Sequence, residues 1–134
     1  PGDAYVDIFG MDNYWDVGAS ANYDKNQTRA AQDSLFAESL LTLTKIADKK
    51  NKIAALTETG NNALKEHDWY SKRLIKPLEN YPQLHKIAYI MVWRNANENH
   101  FYVPFSGHPA TADFIQFMNH ELILFENELP KMYQ

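Results

Sequence analysis

Three short apolar runs, each followed by a helix-like stretch, constrain the fold of this chain more than any other feature. The runs are Tyr5–Gly10, Lys52–Thr57 and Ile87–Val92. The first and third are rich in β-branched and aromatic residues and read as strands. The second is alanine-rich, which also suits a helix, but its shortness and the glycine beyond it favour a buried strand. The continuous apolar character of Ile87–Val92 suits a strand covered on both faces. Between the first two runs, from about Gln27 to Lys50, Ala30, Ala31, Leu35, Phe36, Leu40, Leu43, Ile46 and Ala47 recur near helical spacing. Thr28 or Asn26 can cap that helix, and the lysines near its end suit the helix dipole. A second helix is predicted over Asn62 to Ile75, stopping by Pro77. A third covers about Ala110 to Glu126, with Phe114, Phe117, Leu122 and Phe125 on related faces.

The order strand, helix, strand, helix, strand, helix implies parallel strands joined by right-handed crossovers. Three such units in 134 residues give about 45 residues each, above the roughly 30 per unit of a 250-residue barrel. The excess falls in long loops after the strands. No linker, repeat or low-complexity stretch divides the chain, so residues 1–134 read as one unit.

Composition narrows the function classes. The net charge of -4 and the scattered basic residues argue against a nucleic-acid surface. Lys49, Lys50 and Lys52, and the pair Lys72 and Arg73, read as solvated helix faces. Absence of cysteine removes disulfides and thiolate chemistry. No apolar run approaches the roughly 20 residues of a membrane span. None of the five histidines has the spacing of a helical zinc motif, and no glycine-rich phosphate loop or nucleophile elbow is present, so neither a metal nor another cofactor is expected. The chain opens Pro1-Gly2-Asp3 without an initiator Met, and the expectation is that its natural N-terminus, with any secretion signal, lies upstream.

Each strand is followed by a polar cluster: Asp12, Asn13, Tyr14 and Trp15 after the first, Glu58, Thr59 and Gly60 after the second, and Trp93, Arg94 and Asn95 after the third. In parallel α/β folds the C-terminal edge of the sheet is where ligands bind. Glu58 is the sharpest of these residues, because an ionised carboxylate leaving an apolar strand needs hydrogen-bond or charge partners. Two readings stay open. In one, Glu58 forms a structural ion pair with Arg94. In the other, Tyr14 holds it as the carboxylate nucleophile of retaining glycoside cleavage. Asp12, at the strand exit, is a better site candidate than Asp7. Trp15 and Trp93 are candidate sugar platforms, with core packing as the alternative, and Trp69 on a helix is expected in the core.

Four segments resemble glycoside hydrolase family 26, in the right order and over nearly the whole chain: Tyr5 to Trp15 (YVDIFGMDNYW), Ala55 to Gly60 (ALTETG), Val92 to Asn95 (VWRN), and Phe101 to Pro109 (FYVPFSGHP) with Ala112, Asp113 and Phe114. That family consists mainly of endo-β-1,4-mannanases. The resemblance implies a partial (β/α)8 TIM barrel of α/β class, three parallel βα units standing as strands six to eight. It implies Glu58 as the nucleophile, Tyr14 as the tyrosine bonded to it and Asp12 as an aspartate lining the substrate site. Trp93 matches the platform near the scissile bond, and Arg94 matches an arginine reaching the next sugar outward in some members.

One element of the family pattern is missing. The acid/base glutamate follows strand four, upstream of anything in this chain. The expectations are therefore that the 134 residues alone are inactive, and that the remainder of the barrel or self-association covers the unpaired outer strands. The implied substrate is the polysaccharide β-mannan, from which a secreted, periplasmic or cell-surface location is expected. Rival expectations are another family-26 β-glycanase acting on xylan or mixed-linkage glucan, and a non-catalytic carbohydrate-binding barrel.

Overall fold

A computed structural model describes residues 2–19 and 27–131. Three parallel strands, β1 (Ile8–Asn13), β2 (Ile53–Thr59) and β3 (Ile87–Val92), form one sheet in the order β1-β2-β3. Helices connect them, as the alternation of runs implied. The fold is α/β, the arrangement of three βα units of a TIM barrel. No described helix is long and apolar enough to cross a membrane.

The crossover from β1 to β2 is α1 (Arg29–Lys50). Thr28 caps it, its Oγ1 accepting the amide of Ala31 at 3.2 Å. Asn26, the other cap candidate, lies outside the described residues. Asn51 ends the helix in the left-handed conformation, its amide reaching back to Ala47 and Asp48, while Lys49 and Lys50 sit at the negative end of the dipole.

The second connection departs from the expected single helix over Asn62 to Ile75. A short 3-10 turn at Asn62–Leu64 carries Ala63 and Leu64 at positive φ, which breaks the helical path. The helix proper begins at Tyr70, is wound as a π-helix to Ile75, and runs on through Pro77 as α2 (Lys76–Asn80). Pro77 does not stop it, because the extra residue of the π-wound turn moves the carbonyls that the proline ring would otherwise meet. Its start is fixed from a distance: the Asp113 carboxylate accepts the amides of Tyr70, at 2.8 Å, and Ser71. Asp113 belongs to α3 (Thr111–Met118).

That last helix is shorter than the expected Ala110 to Glu126. The chain turns at Asn119 and His120, and Leu122, Ile123 and Phe125 pack against the core from non-helical backbone. The first strand is also displaced. It begins at Ile8 rather than Tyr5, since Asp3–Tyr5 forms a 3-10 turn and Tyr5 is exposed. Its far end extends to Asn13, because pairing with Ile53–Thr59 continues through those polar residues.

The core lies between the sheet and the helices: Phe36 and Leu40 of α1, Leu56 of β2, then Trp69, Tyr70, Leu74 and Phe117, with Met11, Ile90 and Val92 from the sheet against them. Each fully buried side chain of this size contributes roughly 1.5–3 kcal/mol. Trp69 is core, as expected, and its indole N–H donates to the Val17 carbonyl at 2.8 Å. Because side chains alternate along a strand, Tyr89 and Met91 point to the opposite face, where they are half-exposed together with Ile8 and Ile53.

Candidate functional site

The C-terminal ends of β1 and β2 are not in simple register. Met11 pairs with Leu56, but the next residue, Asp12, pairs with Glu58, so Thr57 is an extra residue bulged from β2. A bulge re-aims the side chains after it. Gly10 accommodates the bulge, because a Cβ there would lie 2.5 Å from the Thr57 side chain. The Thr57 hydroxyl donates to Asp12 Oδ1 at 2.7 Å.

Beyond the bulge, Glu58 is half-buried and accepts a hydrogen bond from the Tyr14 hydroxyl, at 3.3 Å from its Oε2. Burial first, and then the Glu58 carboxylate, push the Tyr14 phenol far above its ordinary range, so it remains a donor at any ordinary pH. The loop bearing Tyr14 is held by Asn13, whose Nδ2 donates to Asp16 at 2.8 Å and whose Oδ1 accepts the Asp16 amide at 3.0 Å. Thr59 ties that loop to β2, its buried hydroxyl donating to the Asn13 carbonyl at 2.8 Å.

Glu58 and Tyr14 border an open cleft of about 410 Å³, which Trp15, Trp93, Asn62 and Tyr102 also line. Trp15 is 54 % exposed, which excludes core packing for it. Trp93 leaves β3 with its amide bonded to the Thr59 carbonyl at 3.0 Å. The two indoles and Glu58 thus meet at one cavity, although 78 residues separate Trp15 from Trp93 in the sequence.

Two candidates stand apart from it. Asp12 is exposed beside Glu58 in register, bonded to Thr57 and outside the cleft lining. Arg94 is exposed and makes no ion pair among the described residues, so the structural ion pair with Glu58 is not formed.

Tyr102 was not foreseen. It lies eight residues past Arg94, in a loop with no period to read, and only its place within the segment Phe101 to Pro109 hinted at a role. Asn95 builds that loop. Its Oδ1 accepts the amides of Tyr102, at 2.8 Å, and Val103, at 2.9 Å, and its Nδ2 donates to the Val103 carbonyl at 2.9 Å. The buried Tyr70 hydroxyl donates to the Tyr102 carbonyl at 2.5 Å.

No family model matches the sequence. The structure is similar to solved enzymes. Against a GH26 β-mannanase from Bacteroides ovatus the TM-score is 0.73 at 28% identity, covering 100% of this chain and 37% of that one. Against GH26C from a Muricauda species it is 0.81 at 32% identity, covering 100% and 34%. Against a modular endo-β-1,4-mannanase from Cellulomonas fimi it is 0.80 at 26% identity, covering 97% and 28%. The chain therefore spans only about a third of the length of the structures it matches. By fold and by sequence together, the chain is similar to part of the (β/α)8 barrel of glycoside hydrolase family 26 enzymes.

Proposed function

We propose that this chain supplies the nucleophile side of a retaining endo-β-1,4-mannanase. The observation that carries the reading is the Tyr14 hydroxyl 3.3 Å from Glu58, at the ends of adjacent parallel strands, within a cleft flanked by two indoles. A carboxylate held by a donor that does not ionise keeps its aim, as a nucleophile requires. Glu58 attacks the anomeric carbon as the glycosidic bond breaks, and a glutamate outside this chain protonates the departing oxygen. Water, deprotonated by that same glutamate, then releases the sugar from Glu58. The two carboxyl groups of such a pair stand about 5–5.5 Å apart.

Trp93 and Trp15 offer flat apolar faces to the C–H surfaces of the sugar rings. Arg94 reaches the next sugar outward, and Asp12 lines the substrate path beside Glu58. Such a polymer is degraded outside the cell or at its surface. The outer edges of β1 and β3, and the half-exposed Ile8, Ile53, Tyr89 and Met91, are covered by further barrel strands, without which the 134 residues are inactive.

An aryl 2-deoxy-2-fluoro-mannoside tests the assignment in the protein carrying a complete barrel. The expected result is a stable glycosyl ester on Glu58. An ester on another residue ends the assignment, and faster turnover of xylan or mixed-linkage glucan than of mannan ends the choice of substrate.

A further inference from the structure

The hydroxyl of Tyr14 reaches Glu58 only if its ring is held from behind, since a tyrosine rotates freely about two bonds. Its ring is met edge-on by Tyr102, with centroids 6.2 Å apart and planes at 67°. Tyr102 is itself immobilised. Its amide is bound by Asn95, its carbonyl by the Tyr70 hydroxyl, and the neighbouring Phe101 carbonyl accepts the Ala63 amide at 2.8 Å. One edge of its ring lies against the backbone just past Glu58. A Cβ on Gly60 would come within 2.3 Å of Tyr102 Cδ1, and Gly60 has φ +150, where other residues are strained. His100 closes the remaining side, ring centroid 5.2 Å away. Tyr102 is 92 % buried by these contacts, and among the described residues its hydroxyl makes no hydrogen bond. Such a hydroxyl adds little to stability, so the ring is the part of Tyr102 that the loop holds in place.

We infer that Tyr102 is a positioning residue: wedged between Gly60 and Tyr14, its ring fixes the Tyr14 phenol on Glu58. Gly60 is bare so that the wedge can fit. This inference rests on the reading of Glu58 as nucleophile. It is a further step, since the ring of Tyr102 meets that of Tyr14 and acts on Glu58 through it.

The test is a double-mutant cycle in the complete-barrel enzyme on soluble β-mannan, with folding checked by thermal unfolding. Tyr102→Ala lowers kcat by about 30-fold with KM little changed, and Tyr102→Phe recovers most of the loss, because the ring and not the hydroxyl does the holding. In a Tyr14→Phe background, where the bond to Glu58 is already gone, Tyr102→Ala costs less than about threefold further. Should the alanine variant not fold, Tyr102→Leu, which keeps apolar contact on Gly60 without a flat ring edge, is carried through the same cycle. An equal loss in both backgrounds overturns the inference, as does a Tyr102→Phe variant as impaired as the alanine one. Fluoro-sugar labelling separates the two levels: additive losses with Glu58 labelled sink only the role of Tyr102, whereas a label elsewhere sinks the reading beneath it.

Discussion

The two faces of the sheet are finished to different degrees. The face under the helices is closed: Leu56, Trp69, Tyr70 and Leu74 are essentially without exposure, and Arg73, 4 % exposed, is held by the carboxylates of Asp33 and Glu66. The opposite face leaves Ile8, Ile53, Tyr89 and Met91 half-exposed, and the cleft with Glu58 opens at its upper edge. The contacts that aim Glu58 and Tyr14 lie within this chain, whereas the open face is where the further strands proposed above would pack. Contacts under the helices are accordingly expected to govern stability, and contacts at the strand ends to govern turnover.

The largest effect is expected at the cleft. In the complete-barrel enzyme, Glu58→Gln lowers kcat about a thousandfold or more with little change in unfolding midpoint. A comparable loss of stability would mean that Glu58 is a structural group. On the helix side, Trp69→Ala costs about 3–5 kcal/mol in urea unfolding, since it empties the core and orphans the Val17 carbonyl. Arg73→Met costs about 3 kcal/mol, because Asp33 and Glu66 lose their buried counter-charge. A neutral result would show that this network is solvated in practice.

Alkaline titration sharpens the contrast further. Burial raises Tyr14, Tyr70 and Tyr102, with Glu58 adding to the shift of the first and Asp113 to that of the second. At least three of the eight tyrosines should therefore ionise late in an ultraviolet titration. Their stabilising contribution is full below the unfolded tyrosine pKa of about 10 and is lost as pH rises through the folded values, because the unfolded chain then releases the proton more readily. Normal titration of all eight would contradict the packing around Tyr14. The smallest effect is on the open face. Tyr89→Ser with Met91→Ser should change the stability of the 134-residue chain by less than about 1 kcal/mol. The same pair should cost several times more once further strands cover it, and equal costs in both settings would show that the face is never buried.

Much of this was legible in the residues. The apolar runs marked three strands because continuous burial demands them, and the polar clusters after the runs marked the sheet edge where Glu58 and Tyr14 meet. Boundaries were legible where a local cap signalled them, as Thr28 did for α1, and where a continuous apolar run ended, as at Ile87–Val92. The start of the second helix escaped because its cap, Asp113, comes from 43 residues downstream of Tyr70, and the passage through Pro77 escaped because π-winding leaves no local signature. Tyr102 escaped because a loop residue has no periodicity to betray it.

By itself the sequence determined the parallel α/β order and which carboxylate stands at a strand exit, since hydrophobic patterning and chain direction are local properties that burial enforces. Only the tertiary structure decided that Thr57 bulges, that Tyr14 rather than Arg94 reaches Glu58, and that Tyr102 packs on Gly60. Those outcomes depend on inter-strand register and on contacts between distant segments, which no single stretch of sequence encodes.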